Sequence, residues 1–148
     1  MAVQNEILEF VQKVVAAMGL DLRASLEDTP DGWRVNLEGE HSGPLLRRGA
    51  EGLQALQHVA STAFRRQLGD DTRVVVDCNG YRREKDAELR QMARFLAEKV
   101  RASGAPQEIG PLNPYERRVV HLTVSELGDI ASESIGDAFQ KTVIISRK

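Results

Sequence analysis

Residues Asn113 to His121 read NPYERRVVH. The stretch has the layout of a helix start. Asn113 can cap, Pro114 suits a first helical position because its missing N–H would be unpaired there anyway, and Glu116 sits where a capping-box acid belongs. His121 follows Arg117 by four positions, so a helix sets the guanidinium and the imidazole on one face, about one turn apart. Val120 and Val124 fall on a neighbouring stripe suited to packing.

An Arg-x-x-x-His pair behind a Pro-Tyr-Glu-Arg helix start resembles the RxxxH domain, spoken "R-three-H", a small module associated with single-stranded nucleic acid. The segment that follows, SESIGDAFQKTVIISRK, resembles the two strands that close that domain. Upstream, LLRRGAEGLQALQHV resembles the loop and helix of a KH domain. A KH domain followed by an RxxxH domain is the arrangement of the bacterial Jag (SpoIIIJ-associated) RNA-binding family, and the resemblance runs from about residue 7 to residue 147. It implies an α+β fold: a prokaryotic-type KH-like domain over residues 1–80, then a small RxxxH domain over residues 81–148.

The 148 residues are enough for one ordinary domain or two small ones. At 41% hydrophobic and 28% charged the chain is globular rather than disordered. The net charge is only −2, whereas nucleic-acid binders are often basic, so any binding surface must come from local clustering. The arginines do come in pairs: Arg47-Arg48, Arg65-Arg66, Arg82-Arg83 and Arg117-Arg118. Cys78 is the single cysteine, which excludes an intrachain disulfide and a cysteine-rich zinc site. With no apolar run of about 18 residues and no signal-like N-terminus, membrane insertion is not expected and the cytoplasm is the expected compartment.

Ile7, Leu8, Val11, Val14, Val15 and Met18 recur at helical spacing, with Gly19 as the stop. Leu20, Leu22, Ala24 and Leu26 alternate as in a half-buried strand, and Trp33, Val35 and Leu37 repeat the pattern beyond a Pro30/Gly32 turn. Trp33 is either core or a base-stacking platform. A short helical segment over 39–46 ends in the basic loop Arg47-Arg48-Gly49. A helix over about 50–67 follows, with Leu53, Leu56, Ala60, Ala63 and Phe64 on one side. The valines of RVVVDC predict a strand buried on both faces. A helix over about 84–101 should turn Leu89, Met92, Ala93, Leu96 and Val100 inward. An extended piece over 107–109 precedes the NPYERRVVH helix. Two final strands turn near Gly136, with Phe139, Lys141, Val143 and Ile145 on one face of the last.

Two places carry recognition chemistry. A KH loop sets two residues between two glycines, so that a nucleic-acid backbone can approach closely and basic side chains can meet phosphate. The matching residues here are Leu46-Arg47-Arg48-Gly49. Leu46 stands where the family has glycine, while Arg47, Arg48 and Gly49 keep the electrostatic half of the pattern. At the second place the resemblance implies that Arg117 and His121 contact phosphate or base, with Arg118 and Lys141 as further phosphate contacts; the alternative is that His121 packs against Tyr115 or a strand and orients the domain.

Enzymatic readings find no support. His41, His58 and His121 have no metal-ligand spacing, no Gly-rich nucleotide loop is present, and no third group orients Ser125 and His121 as a catalytic pair. No cofactor, metal or catalytic residue is therefore expected. Two functions stay open. One is a single-stranded RNA-binding module, with single-stranded DNA as the variant and a small KH-only protein as the partner the resemblance implies. The other is a protein-interaction scaffold of the same fold. The resemblance also implies an RNA chaperone or regulator linked to bacterial cell elongation and envelope homeostasis.

Overall fold

The computed structural model describes residues 2–30 and 32–148. The chain separates into two compact units, Met1–Arg83 and Glu84–Lys148. The first contains α1 (Val3–Ala17), β1 (Arg23–Thr29), β2 (Gly32–Glu38), the broken helix α2 (Gly43–Leu68) and β3 (Arg73–Cys78). Helix α3 (Tyr81–Ser103) begins at its end. The second adds β4 (Gln107–Leu112), α4 (Pro114–Ser125), β5 (Ile130–Ile135) and β6 (Lys141–Arg147).

In the first unit β1 and β2 form an antiparallel hairpin, while β2 and β3 run parallel, in the order β1-β2-β3. A parallel pair needs a crossover connection, and α2 is that crossover. Ile7, Val11 and Val15 of α1, Val35 and Leu37 of β2, Leu53, Leu56, Ala60 and Phe64 of α2, and Val74 and Val76 of β3 share one core, with Trp33 packed at its margin. The helical periodicity is right in phase but too generous at the edges. Met18 lies in the C-terminal turn of α1 and is exposed, as is Ala63 of α2, because each falls on the rim of its apolar stripe.

Strand β3 departs from its expected burial. It is an edge strand, Val75 is only half-buried, and the face it shares with Asp77 is closed by a polar network instead of apolar side chains. The open edge is covered from α2. The Gln57 amide bonds the Val74 carbonyl and accepts from the Val76 N–H (2.6 Å), so two backbone groups that would face outward are satisfied.

Asp77 is 1% exposed. Its Oδ1 accepts from the N–H groups of Cys78 (2.8 Å) and Arg82 (2.7 Å), and its Oδ2 from Arg34 Nη1 (3.0 Å) and the Arg83 N–H (3.4 Å). Arg82 and Arg83 are the second and third residues of α3, so the carboxylate supplies acceptors that the helix start lacks. Arg82 Nε in turn donates to the Val76 carbonyl at 2.7 Å.

In the second unit β6 is central, antiparallel to β4 on one side and β5 on the other. Leu89, Ala93, Ala97 and Val100 of α3, Val119, Val120 and Val124 of α4, and Val143 and Ile145 of β6 form its core. Met92 is 49% exposed rather than inward, because the buried stripe runs 89-93-97-100 and passes it by. Phe139 lies in the turn before β6 rather than on the strand face with Val143, and it is exposed.

Replacing Asp77 by Ala strands Arg34 and two helix-start N–H groups together. The expected loss is about 3 kcal/mol, read as a lower urea midpoint, whereas a change within about 0.5 kcal/mol would show that the network is dispensable.

Candidate nucleic-acid interface

The expected site residues fall into two groups, one in each unit. Arg47, Arg48 and Gly49 occupy one loop of the first. Arg117, Arg118 and His121 lie on α4, and Lys141 opens β6, in the second.

Helix α2 is interrupted where the basic loop was expected. Arg47 is extended (φ −69°, ψ 159°), then Arg48, Gly49 and Ala50 are all left-handed, with φ of 56°, 69° and 62°. Arg48 and Ala50 accept this conformation without glycine, at a cost of order 1 kcal/mol each. Both arginine side chains are exposed and, among the described residues, form no ion pair. Nothing stands near the open side of Gly49. Leu46, the departure from the family pattern, is half-buried against the first core and ends the short arm 43–46 as an apolar anchor.

Sequence reading passed over Gly52. A Cβ there would lie 2.7 Å from the Pro44 carbonyl oxygen and 3.1 Å from the Leu45 Cα, so the two arms of α2 meet where only glycine fits. Its signal was visible as a lone glycine inside a helical pattern, a mark of close backbone approach.

The start of α4 is as read from the sequence. Asn113 Oδ1 accepts from the Glu116 N–H (2.9 Å), and Glu116 Oε1 accepts from the Asn113 N–H (3.0 Å), closing the capping box behind Pro114. The Tyr115 hydroxyl reaches Asp86 of α3 at 3.0 Å. Arg117 and His121 share a face, and one guanidinium nitrogen of Arg117 and both ring nitrogens of His121 bond within the protein. Arg117 Nη1 donates to the carbonyls of Leu112 (2.7 Å) and Phe139 (2.8 Å). His121 Nδ1 pairs with Ser132 Oγ at 2.6 Å, and Nε2 with Ser134 Oγ at 2.7 Å. Ser132 and Ser134 alternate on β5 and so point to the same face. Sequence reading did not pair these serines with the histidine, because no local spacing connects a helix to a later strand.

Burial and then the nearby Arg117 charge hold the His121 imidazole below its ordinary pKa. It is therefore neutral at neutral pH, with one nitrogen donating and the other accepting. Arg118 is half-buried on α4. Lys141 is half-buried at the first position of β6, opposite Leu112 of β4, and forms no ion pair among the described residues. Also among the described residues, no cluster of His, Cys, Asp or Glu could hold a metal ion, and no helix is long and apolar enough to cross a membrane. Burial pushes the Cys78 thiol up to about 11, leaving it unreactive.

Comparison with known proteins bears on the second unit directly: residues 87–147 match the R-three-H domain, the module named for its Arg-x-x-x-His spacing. The second unit is an R-three-H domain. The whole chain is also homologous to proteins named RNA-binding protein KhpB. It is 31% identical over 147 residues to that of Clostridium symbiosum, covering 98% of this chain and 66% of the relative. It is 25% identical over 141 residues to that of Bacillus subtilis (94% and 68%), and 26% identical over 145 residues to that of Streptococcus pneumoniae D39 (97% and 44%). The chain thus spans about two thirds of the first two relatives and under half of the third.

Two outcomes follow from this geometry. Gly52→Ala should destabilise the fold by about 1–3 kcal/mol, although alanine is the better helix former by about 1 kcal/mol. The added methyl meets backbone rather than a mobile side chain, and an equal or higher urea midpoint would refute the close contact. For His121, both folded and unfolded states are neutral above its ordinary value near 6.5. Below it the unfolded chain takes up the proton first, so stability falls with pH until the folded imidazole is also protonated. The stability advantage of the wild type over His121→Ala should therefore shrink from pH 7.5 towards pH 5.5. A constant advantage would contradict a buried neutral imidazole.

Proposed function

We propose that this chain is a single-stranded RNA-binding protein that joins a prokaryotic-type KH-like domain, residues 1–80, to the R-three-H domain, taken as residues 81–148. The reading rests on Arg47 and Arg48. Two exposed guanidinium groups, without ion-pair partners among the described residues, precede an open glycine in a strained loop at the start of a long helix. Strain of that kind persists where surrounding structure enforces it, often at ligand sites, and free helix-start N–H groups favour phosphate. The order of elements, with β2 parallel to β3 across a broken helix, supports the KH-like assignment, and the KhpB relatives support RNA as the ligand.

In this reading Arg47, Arg48 and Gly49 bind the RNA backbone in the first domain. Arg118 and Lys141 contact phosphate in the second, beside Arg117 and His121. The protein acts by binding rather than catalysis. The R-three-H match and the relatives named as RNA-binding proteins support that reading. A cytoplasmic RNA chaperone or regulator with a small KH-only partner, linked to cell elongation and envelope homeostasis, is the setting we propose for it. The scaffold reading gains one specific observation: both His121 ring nitrogens and the Arg117 Nη1 are bonded within the protein.

Fluorescence anisotropy with a single strand and a hairpin stem of equal length, at two salt concentrations, separates the two readings. RNA binding predicts tighter binding of the single strand and a steep loss with salt. Arg47→Ala/Arg48→Ala should lower the salt slope by up to about 1.4, at roughly 0.7 per phosphate contact. Absence of binding at low salt would favour the scaffold. Equal affinity for both ligands would refute the single-strand preference.

A further inference from the structure

We infer that Phe139 is a stacking platform for an unpaired base, and that Arg117 and His121 hold the turn that presents it. The inference rests on the RNA-binding reading and adds a contact to it. Phe139, 63% exposed, is the most exposed of the large hydrophobic side chains among the described residues. A single exposed apolar residue ordinarily requires no explanation. Here the backbone that carries the ring is fixed.

The fixing comes from α4 at two points. Arg117 Nη1 donates to the Phe139 carbonyl at 2.8 Å, and the same nitrogen reaches the Leu112 carbonyl at 2.7 Å, tying the turn to the end of β4. One helical turn later, His121 grips β5 through Ser132 and Ser134. Both sides of the hairpin that carries residues 136–140 are therefore held by the arginine and histidine of one helix face. Holding the turn lowers the entropy that a base would otherwise lose in ordering an exposed ring on binding.

Charge beside the ring suits a nucleotide. Lys141 stands two residues beyond Phe139 in the chain and has no ion-pair partner among the described residues, so its ammonium is left for the phosphate next to a stacked base. Asp137 belongs to the same turn, two residues before Phe139 in the chain. An aromatic face with an adjacent cation is the combination by which single-stranded nucleic acids are bound without base-specific hydrogen bonds. On this geometry Arg117 is a positioning residue, whose effect on binding passes through Phe139.

The test uses the full chain with oligouridylate and with an abasic strand of equal length. Phe139→Ala should raise the Kd for oligouridylate about tenfold. It should leave the Kd for the abasic strand and the salt slope unchanged, because a stack releases no counterions. Phe139→Trp should keep the affinity, and its added fluorescence should be quenched by oligouridylate but not by the abasic strand. Arg117→Ala should reproduce the loss, and Phe139→Ala should add little on top of it. Additive losses would overturn the positioning role of Arg117. Should Arg117→Ala unfold, Phe139→Ala and Phe139→Trp decide the platform by themselves. If the wild type binds RNA and Phe139→Ala binds it equally well, or loses the abasic strand to the same degree, the platform is refuted while RNA binding stands. If the wild type binds neither strand, the RNA-binding reading fails and the platform with it.

Discussion

A buried carboxylate at the end of β3 is the constraint on which the first unit depends. Desolvating Asp77 alone would be very costly, so its burial requires that both oxygens be filled. They are filled by Arg34 from the neighbouring strand and by N–H groups at the start of α3. The same carboxylate therefore closes the polar face of the sheet and begins a helix. Asn79, left-handed at φ 50°, completes the turn by exchanging two hydrogen bonds with the Gly39 backbone through its side-chain amide. With the strand end fixed and its open edge covered by Gln57, the β2-β3 pair forms a rigid base for the broken helix above it.

The two candidate sites use arginine in opposite ways. In the first unit, the break in α2 exposes Arg47 and Arg48 and leaves them without carboxylate partners among the described residues, so their charge is available to an anion. Charge of this kind contributes affinity and salt dependence. In the second unit, Arg117 spends one nitrogen on two carbonyls, and His121 spends both on serines. Arginine suits that task because its planar fork holds several fixed donors, whereas a lysine ammonium is a single point charge. The Arg-x-x-x-His spacing then places two grips one helical turn apart on a β-hairpin, and the hairpin turn, not the helix alone, faces the solvent.

This division would let a chain with net charge −2 carry the nucleic-acid surface proposed for it. Some of its cations are neutralised within the fold: Arg34 by Asp77, Arg83 by Glu27 at 3.1 Å, and Arg101 by a bidentate pair with Asp129 at 2.7 and 2.8 Å. The Glu27 carboxyl is held below its ordinary pKa chiefly by the Asn36 side chain, with Arg83 and Arg34 adding to it. What matters for binding is where the cations without a carboxylate partner lie, and total charge does not report it.

The sequence by itself determined what local chemistry can determine. The capping box at Asn113 and Glu116, the interruption of α2 after Leu46, and the apolar stripes of α1 and α4 depend on residues within one or two turns of each other. Each was legible for that reason. The R-three-H resemblance was equally legible, because its signature is a short spacing on one helix. Tertiary structure decided the rest. It turned Met92, Ala63 and Phe139 outward, since a stripe's width depends on what packs against it and not on its period. It made the second face of β3 polar, because Asp77 found Arg34 on a strand some forty residues earlier. It gave His121 two serines on β5 and Arg117 the carbonyl of Phe139, partners 11 to 22 residues away that no helical spacing reveals. Local spacing specifies which side chains share a face, while their partners across that face are set only when the sheet closes against the helix.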